Sequence, residues 1–164
     1  MKISNIMNIG IIAIVILIIL SSGCASSSTT KTFSDGVMRF NYPGDFENVI
    51  YSENTNSNSP MRVIAKFENN IPLKDQEITV GKNISSISAT EVRDRSVTKV
   101  KNMSTGEILS ISTETNHNGI IVEKITYTYE LVLGIRTIYN DMYFKINDSV
   151  YAISVDGPDT TIGT

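Results

Sequence analysis

A period of two, dominant from Phe33 onward, constrains the fold more than any other feature. In "VMRFNYP", Met38, Phe40 and Tyr42 fall on one side of an extended strand, and Arg39 and Asn41 on the other. "MRVIAKF" repeats the pattern with Met61, Val63, Ala65 and Phe67. Between them "FENVIY" reads as a short strand, and "SENTNSNSP" as a polar loop ended by Pro60. A weaker strand follows at "QEITV". Later, "EILSISTET" turns at "NHNG" into "IIVEKITYTYEL". A turn near Gly134 leads to "IRTIYNDMYFKI", and one at "NDS" leads to "VYAISV". Asn118-Gly119 is the strongest turn signal, because both residues tolerate positive φ. Long strands rich in Ile, Thr, Tyr and Val, joined by short turns, make an antiparallel sheet. Its core is expected to include Phe40, Val63, Ile125 and Ile153.

One segment changes period. "SATEVRDRSVTKVKNM" spaces Ala89, Val92, Ser96, Val100 and Met103 by three and four residues. Ser88 and Glu91 form a capping-box pattern, and Gly106 closes the segment. A helix is therefore expected over 88–103, with Arg93, Arg95, Lys99 and Lys101 on its solvated face. Strands on both sides of one helix place the chain in the α+β class, with a mostly antiparallel β-sheet.

The residues that carry chemistry are sparse. His117 is the single histidine and Cys24 the single cysteine, so neither a disulfide nor a Cys/His metal site is available within one chain. No nucleophile-elbow, phosphate-loop, dinucleotide or zinc-protease string occurs, and no cofactor is expected. Acid pairs such as Asp156 with Asp159 and Asp141 with Asp148 read as turn and strand-end residues, and no metal site is expected. Tyr127, Tyr129, Tyr139, Tyr143 and Tyr151 lie on the strands. Ile125, Tyr127, Tyr129 and Leu131 share one face, a stripe read as core packed under the helix rather than as a binding platform.

Location is written at the other end of the chain. From Ile6 to Leu20 the only polar side chain is Asn8, an apolar run of about fifteen residues after Lys2. At about 1.5 Å per residue this falls short of a bilayer core of roughly 30 Å, and it suits a signal-peptide core better. Small residues Ser21, Ser22 and Gly23 precede Cys24, as at a lipoprotein cleavage site, although Ser21 stands where leucine is usual. We expect residues 1–23 to be a signal peptide or membrane anchor, Cys24 the lipid attachment site, and 24–32, "CASSSTTKT", a flexible tether. Residues 33–157 form the domain and 158–164 a C-terminal tail. The sequons at Asn83, Asn102 and Asn147 are compatible with export as possible glycosylation sites. Fourteen Lys and Arg against seventeen Asp and Glu, net −3, argue against nucleic acid as a partner.

The stretch "FSDGVMRFNYPGDF", residues 33–46, resembles the PsbP family, which opens on a strand ending in aromatic-x-aromatic-Pro followed by an acidic or small residue and an aromatic. Phe40, Asn41, Tyr42 and Pro43 match, and Phe46 stands where tryptophan is usual. The helix, the long hairpin strands and the tyrosine-centred "VYAISV" extend the resemblance over about 33–157. It implies a twisted antiparallel sheet with helices on its faces. It also implies roles in binding and assembly, like those of photosystem extrinsic subunits, exported lipoproteins and a Ran-binding import factor. It implies no catalytic residues. The chain departs from the family at its end, where only "GPDTTIGT" follows the last strand in place of a further strand or helix.

The expected function is that of an exported, membrane-anchored, non-catalytic module at the extracytoplasmic face of the cell membrane. It would hold the membrane through its N-terminal segment and bind an unknown protein or surface ligand. The alternative is a cell-surface hydrolase using its scattered carboxylates, which would require two of them to meet about 5–10 Å apart.

Overall fold

The computed structural model describes residues 29–49, 61–69, 75–83, 87–130 and 134–159. Residues 1–23, Cys24 and the first part of the expected tether lie outside these. Two compact units divide between Gly44 and Asp45, and the expected 33–157 domain spans both.

The first unit holds a hairpin of β1 (Thr30–Ser34) and β2 (Arg39–Pro43). β1 thus begins three residues inside the stretch that composition reads as tether, because pairing with β2 gives its backbone partners. The turn is built by Asp35, whose Oδ1 accepts from the amides of Val37 and Met38 at 2.9 and 2.7 Å. Alternation holds as expected: Met38, Phe40 and Tyr42 are buried while Arg39 and Asn41 are exposed. Phe33 and Phe40 pair across the strands with ring centroids 5.3 Å apart.

The second unit is a seven-stranded, antiparallel sheet. Its strands are β3 (Glu47–Asn48), β4 (Arg62–Asn69), β5 (Gln76–Asn83), β6 (Glu107–Thr115), β7 (Ile121–Glu130), β8 (Arg136–Ile146) and β9 (Ser149–Pro158). Their spatial order is β3-β4-β5-β9-β8-β7-β6, so the last strand lies in the middle. The class is α+β, with one helix packed on a mostly antiparallel sheet.

The helix, α1, runs Ala89–Lys101, within the expected 88–103. Ser88 caps it by accepting from the Glu91 amide at 3.1 Å. Glu91 in the first turn and Lys99 and Lys101 in the last suit the helix dipole. Gly106 ends the connection because a side chain there would lie 2.2 Å from the Val100 carbonyl. Ala89 packs with Ile125, Tyr143 and Val150, flanked by Val92, Val97, Ile108, Tyr127 and Ala152. The opposite sheet face carries Phe67, Ile78, Val80, Phe144, Tyr151, Ile153 and Val155, all buried. Phe144 and Tyr151 stack at 5.9 Å, and the Lys82 ammonium sits 5.2 Å from the Tyr151 ring.

Two expectations are corrected here. Val63 is 41% exposed, because a bulge between Val63 and Ala65 breaks the alternation and turns Val63 away from the buried side. Phe40, Ile125 and Ile153 are core, each 1% exposed or less. Arg93 is not on the solvated face. It stands four residues after Ala89 and three before Ser96, beside the apolar stripe, and pairs with the buried Glu123.

Candidate functional site

The site is assembled by register. On the sheet face that carries α1, β3 to β7 contribute one transverse row of directly opposed residues: Glu47, Glu68, Glu77, Asp156, Tyr139 and Tyr127. Four carboxylates on four neighbouring strands, spaced by about 4.8 Å between strands, run into two aromatic rings. Like charges opposed across strands destabilise a sheet, so folding alone does not favour this arrangement. Lys66, one row along, relieves part of it. Its Nζ lies 2.8 Å from Glu68 and 2.6 Å from Glu77.

Asp156 bears the consequence. Burial, then the charge of Glu77, pushes its carboxyl up to about 7, against a smaller downward pull from Lys66. A carboxyl raised in this way is neutral in both states at low pH. Between the ordinary aspartate range and 7 the unfolded chain ionises while the folded chain holds its proton, so folded stability falls through that window and then levels off. A fully buried group so shifted would lose about 4 kcal/mol, and residual exposure reduces the expectation to about 1–2 kcal/mol. Asp156→Asn should therefore raise the melting temperature at pH 8 and leave it nearly unchanged at pH 4. An equal change at both values would show that ionisation of Asp156 is not the cause.

The aromatic end of the row is a three-ring stack. Tyr139 lies 5.0 Å from Tyr127 and 4.9 Å from Tyr129, at 7° and 8°, and donates to the Tyr129 hydroxyl at 2.9 Å. All three rings are half-buried. Tyr143 and Tyr151 are core, as read from sequence; Tyr127 packs against that core and, with Tyr129 and Tyr139, extends to the rim of the site.

Beneath the helix edge, Asp141 is held by hydroxyls. Ser154 donates to Oδ1 at 2.6 Å and Tyr143 to Oδ2 at 2.8 Å. Since Tyr143 spends its proton there, Ser96 is the donor in the 2.8 Å contact between their hydroxyls. Burial raises the Asp141 carboxyl, and these bonds offset part of the rise. Asp141 lies diagonally across from Asp156, since its direct partner Ser154 is two residues before it on the same face.

The acid pairs read along the sequence are thus not those that meet. Asp141 joins Asp156, while Asp148 lies in the β8–β9 turn and Asp159 bonds through its amide to the Arg136 carbonyl at 2.9 Å. Among the described residues, no group of three or more His, Cys, Asp or Glu is arranged to hold a metal ion. His117 is exposed at the turn tip, where Asn116 Oδ1 accepts from Asn118 and Ile120 and Gly119 takes φ +77°. Of the sequons, Asn102 and Asn147 are exposed. Asn83 is 2% exposed, which leaves no room for a glycan on the folded chain. Glu47, Glu68 and Glu77 were not foreseen as a group. Each is an ordinary polar position of an alternating strand, and only the pairing unites them.

Comparison with solved structures places a PsbP protein among the matches. The chain is similar to the solution structure of CyanoP, the cyanobacterial PsbP of Synechocystis sp. PCC 6803. The match has 12% identity and a TM-score of 0.48, over 84% of each chain. It is also similar to PA94 of Pseudomonas aeruginosa, a protein of unknown function, with 10% identity and a TM-score of 0.45 over 78% of this chain and 82% of that one. No family model and no curated protein matches. These likenesses concern fold and assign no role to any residue. Among the described residues, no helix is long and apolar enough to cross a membrane.

Proposed function

We propose that the chain is an exported, membrane-tethered, non-catalytic binding module that presents its carboxylate row to a basic segment of a partner at the cell surface. One observation carries this reading: Glu47, Glu68, Glu77 and Asp156 stand side by side and run onto Tyr139 and Tyr127, with Lys66 the cation paired to the two central glutamates. A Lys or Arg chain laid along the row would relieve the repulsion, and the tyrosine rings offer its end a cation–π contact. The tether rests on the apolar run 6–20 and on Cys24.

The second reading, a surface hydrolase, draws on Asp156, which keeps a proton near neutrality as a general acid does. Its neighbour Asp141 already accepts from Ser154 and Tyr143, which leaves it poorly placed to activate water.

One preparation tests the proposal. The full chain, extracted from membranes in detergent, should have an intact mass lacking residues 1–23 and carrying lipid on Cys24. A diacylglyceryl-type group would provide the two chains that stable anchoring needs. The same sample should bind oligolysine more weakly as salt rises, and a Glu68→Gln, Glu77→Gln variant should lose affinity severalfold. Retention of Met1 with a free Cys24 thiol would overturn the lipid tether. Unchanged oligolysine binding by the variant would overturn the site.

A further inference from the structure

The two edges of the sheet differ. The edge at β3 is two residues long and carries Glu47. The edge at β6 is nine residues long, and every residue from Leu109 to Thr115 is exposed. Natural edge strands are blunted by lysine, proline or brevity. "EILSISTET" has no lysine and no proline, and it exposes Leu109 and Ile111 at 49% and 47%.

The backbone on this edge is also directed outward. The Asn116 amide donates inward to the Ile120 carbonyl at 2.9 Å, and the β6–β7 ladder continues regularly from Thr115 to Ser110. Antiparallel alternation then turns the N–H and C=O groups of Thr115, Thr113 and Ile111 away from β7.

We infer that β6 is a self-association edge, pairing antiparallel with β6 of a second copy about a two-fold axis through Ile111. Self-complementarity selects the occupant. Pairing about Ile111 sets Ser112 against Ser110 and Thr113 against Leu109, and the bulge between Ile108 and Ser110 ends the regular pairing before Glu107, so no carboxylate is set against another. Both glutamates are already neutralised within their own chain, Glu107 by Arg136 and Glu114 by Lys124, each at 2.5 Å. The two Ile111 side chains come together on the same face, beside the axis, and cover each other. An isologous contact of this kind closes on itself and leaves no open edge at β6. This inference is independent of the carboxylate row.

Two cysteine variants of the full chain test it, with Cys24 kept because the proposed tether needs it, and any crosslinking through Cys24 itself is read from the chain without an added cysteine. An antiparallel hydrogen-bonded pair sets Cα atoms about 5.5 Å apart, within disulfide range. Ile111→Cys should give a disulfide-linked dimer in membranes under mild oxidation, severalfold above an Asp94→Cys control on the exposed side of α1. Ile111→Lys should shift the detergent-solubilised chain toward monomer in light scattering, with its melting temperature little changed. Equal crosslinking from positions 111 and 94, absence of dimer from Ile111→Cys, or a dimer unaffected by Ile111→Lys would each overturn the pairing.

Discussion

Phe40→Ala is expected to lower the free energy of unfolding by about 3–5 kcal/mol, the range for removing a fully buried aromatic ring. Phe40 is 1% exposed, and its ring lies 5.3 Å from Phe33 and 6.3 Å from Tyr42. Its neighbours on the strand, Arg39 and Asn41, face solvent, so the backbone fixes which side the ring takes. Denaturant unfolding should show a lower midpoint with an unchanged slope, the sign of lost stability without lost cooperativity. A loss under about 1 kcal/mol would mean that the site collapses around alanine and that the ring is not the anchor of this hairpin.

The second large effect is expected at Glu123. Its carboxylate accepts from Thr90 at 2.9 Å and Thr113 at 2.7 Å, and it is ion-paired with Arg93. Thr90 and Arg93 come from α1 and Thr113 from β6, so one side chain of β7 joins the helix to two strands. Burial alone would raise the Glu123 carboxyl. The two hydroxyls and Arg93 outweigh it and hold the group below the ordinary glutamate range. A depressed carboxyl contributes stability above its unfolded value and loses it as pH falls through the folded one, so this contact should weaken in acid. Glu123→Ala should cost about 3 kcal/mol, because both hydroxyls lose their buried acceptor and Arg93 keeps only the exposed Asp94 as a partner. Glu123→Gln should cost less, since an amide oxygen still accepts. Arg93→Met combined with Glu123→Leu should recover most of the loss, because an apolar pair of similar size often replaces a buried ion pair without penalty. A double variant as unstable as Glu123→Ala would show that shape at this contact, rather than charge, holds the helix.

Local chemistry explains what was legible in the sequence. Alternation marked the strands, Ser88 and Glu91 marked the helix start, and Asn118-Gly119 marked a hairpin, because each signal acts within a few residues. Val63 was misplaced because a bulge depends on a partner strand that the local pattern does not contain. Arg93 was misplaced because a residue beside the apolar stripe is solvated or buried according to what the neighbouring strand offers, here Glu123. The carboxylate row lies one step further out of reach. Glu47, Glu68, Glu77 and Asp156 are far apart in sequence, and only the order β3-β4-β5-β9 makes them adjacent.

That order has a consequence in time. β9, the last of the described strands in chain order, pairs with β5 on one side and β8 on the other, and so joins the β3–β5 half of the sheet to the β6–β8 half. A nascent chain can form the two hairpin systems early, but each keeps a bare inner edge until Ser149–Pro158 emerges. The contact that completes the sheet spans roughly seventy residues, from β5 to β9, and pairings of such long range are slow to form. Completion of the sheet therefore waits for β9. Until β9 pairs, the open edges of β5 and β8 are the surfaces most exposed to wrong partners.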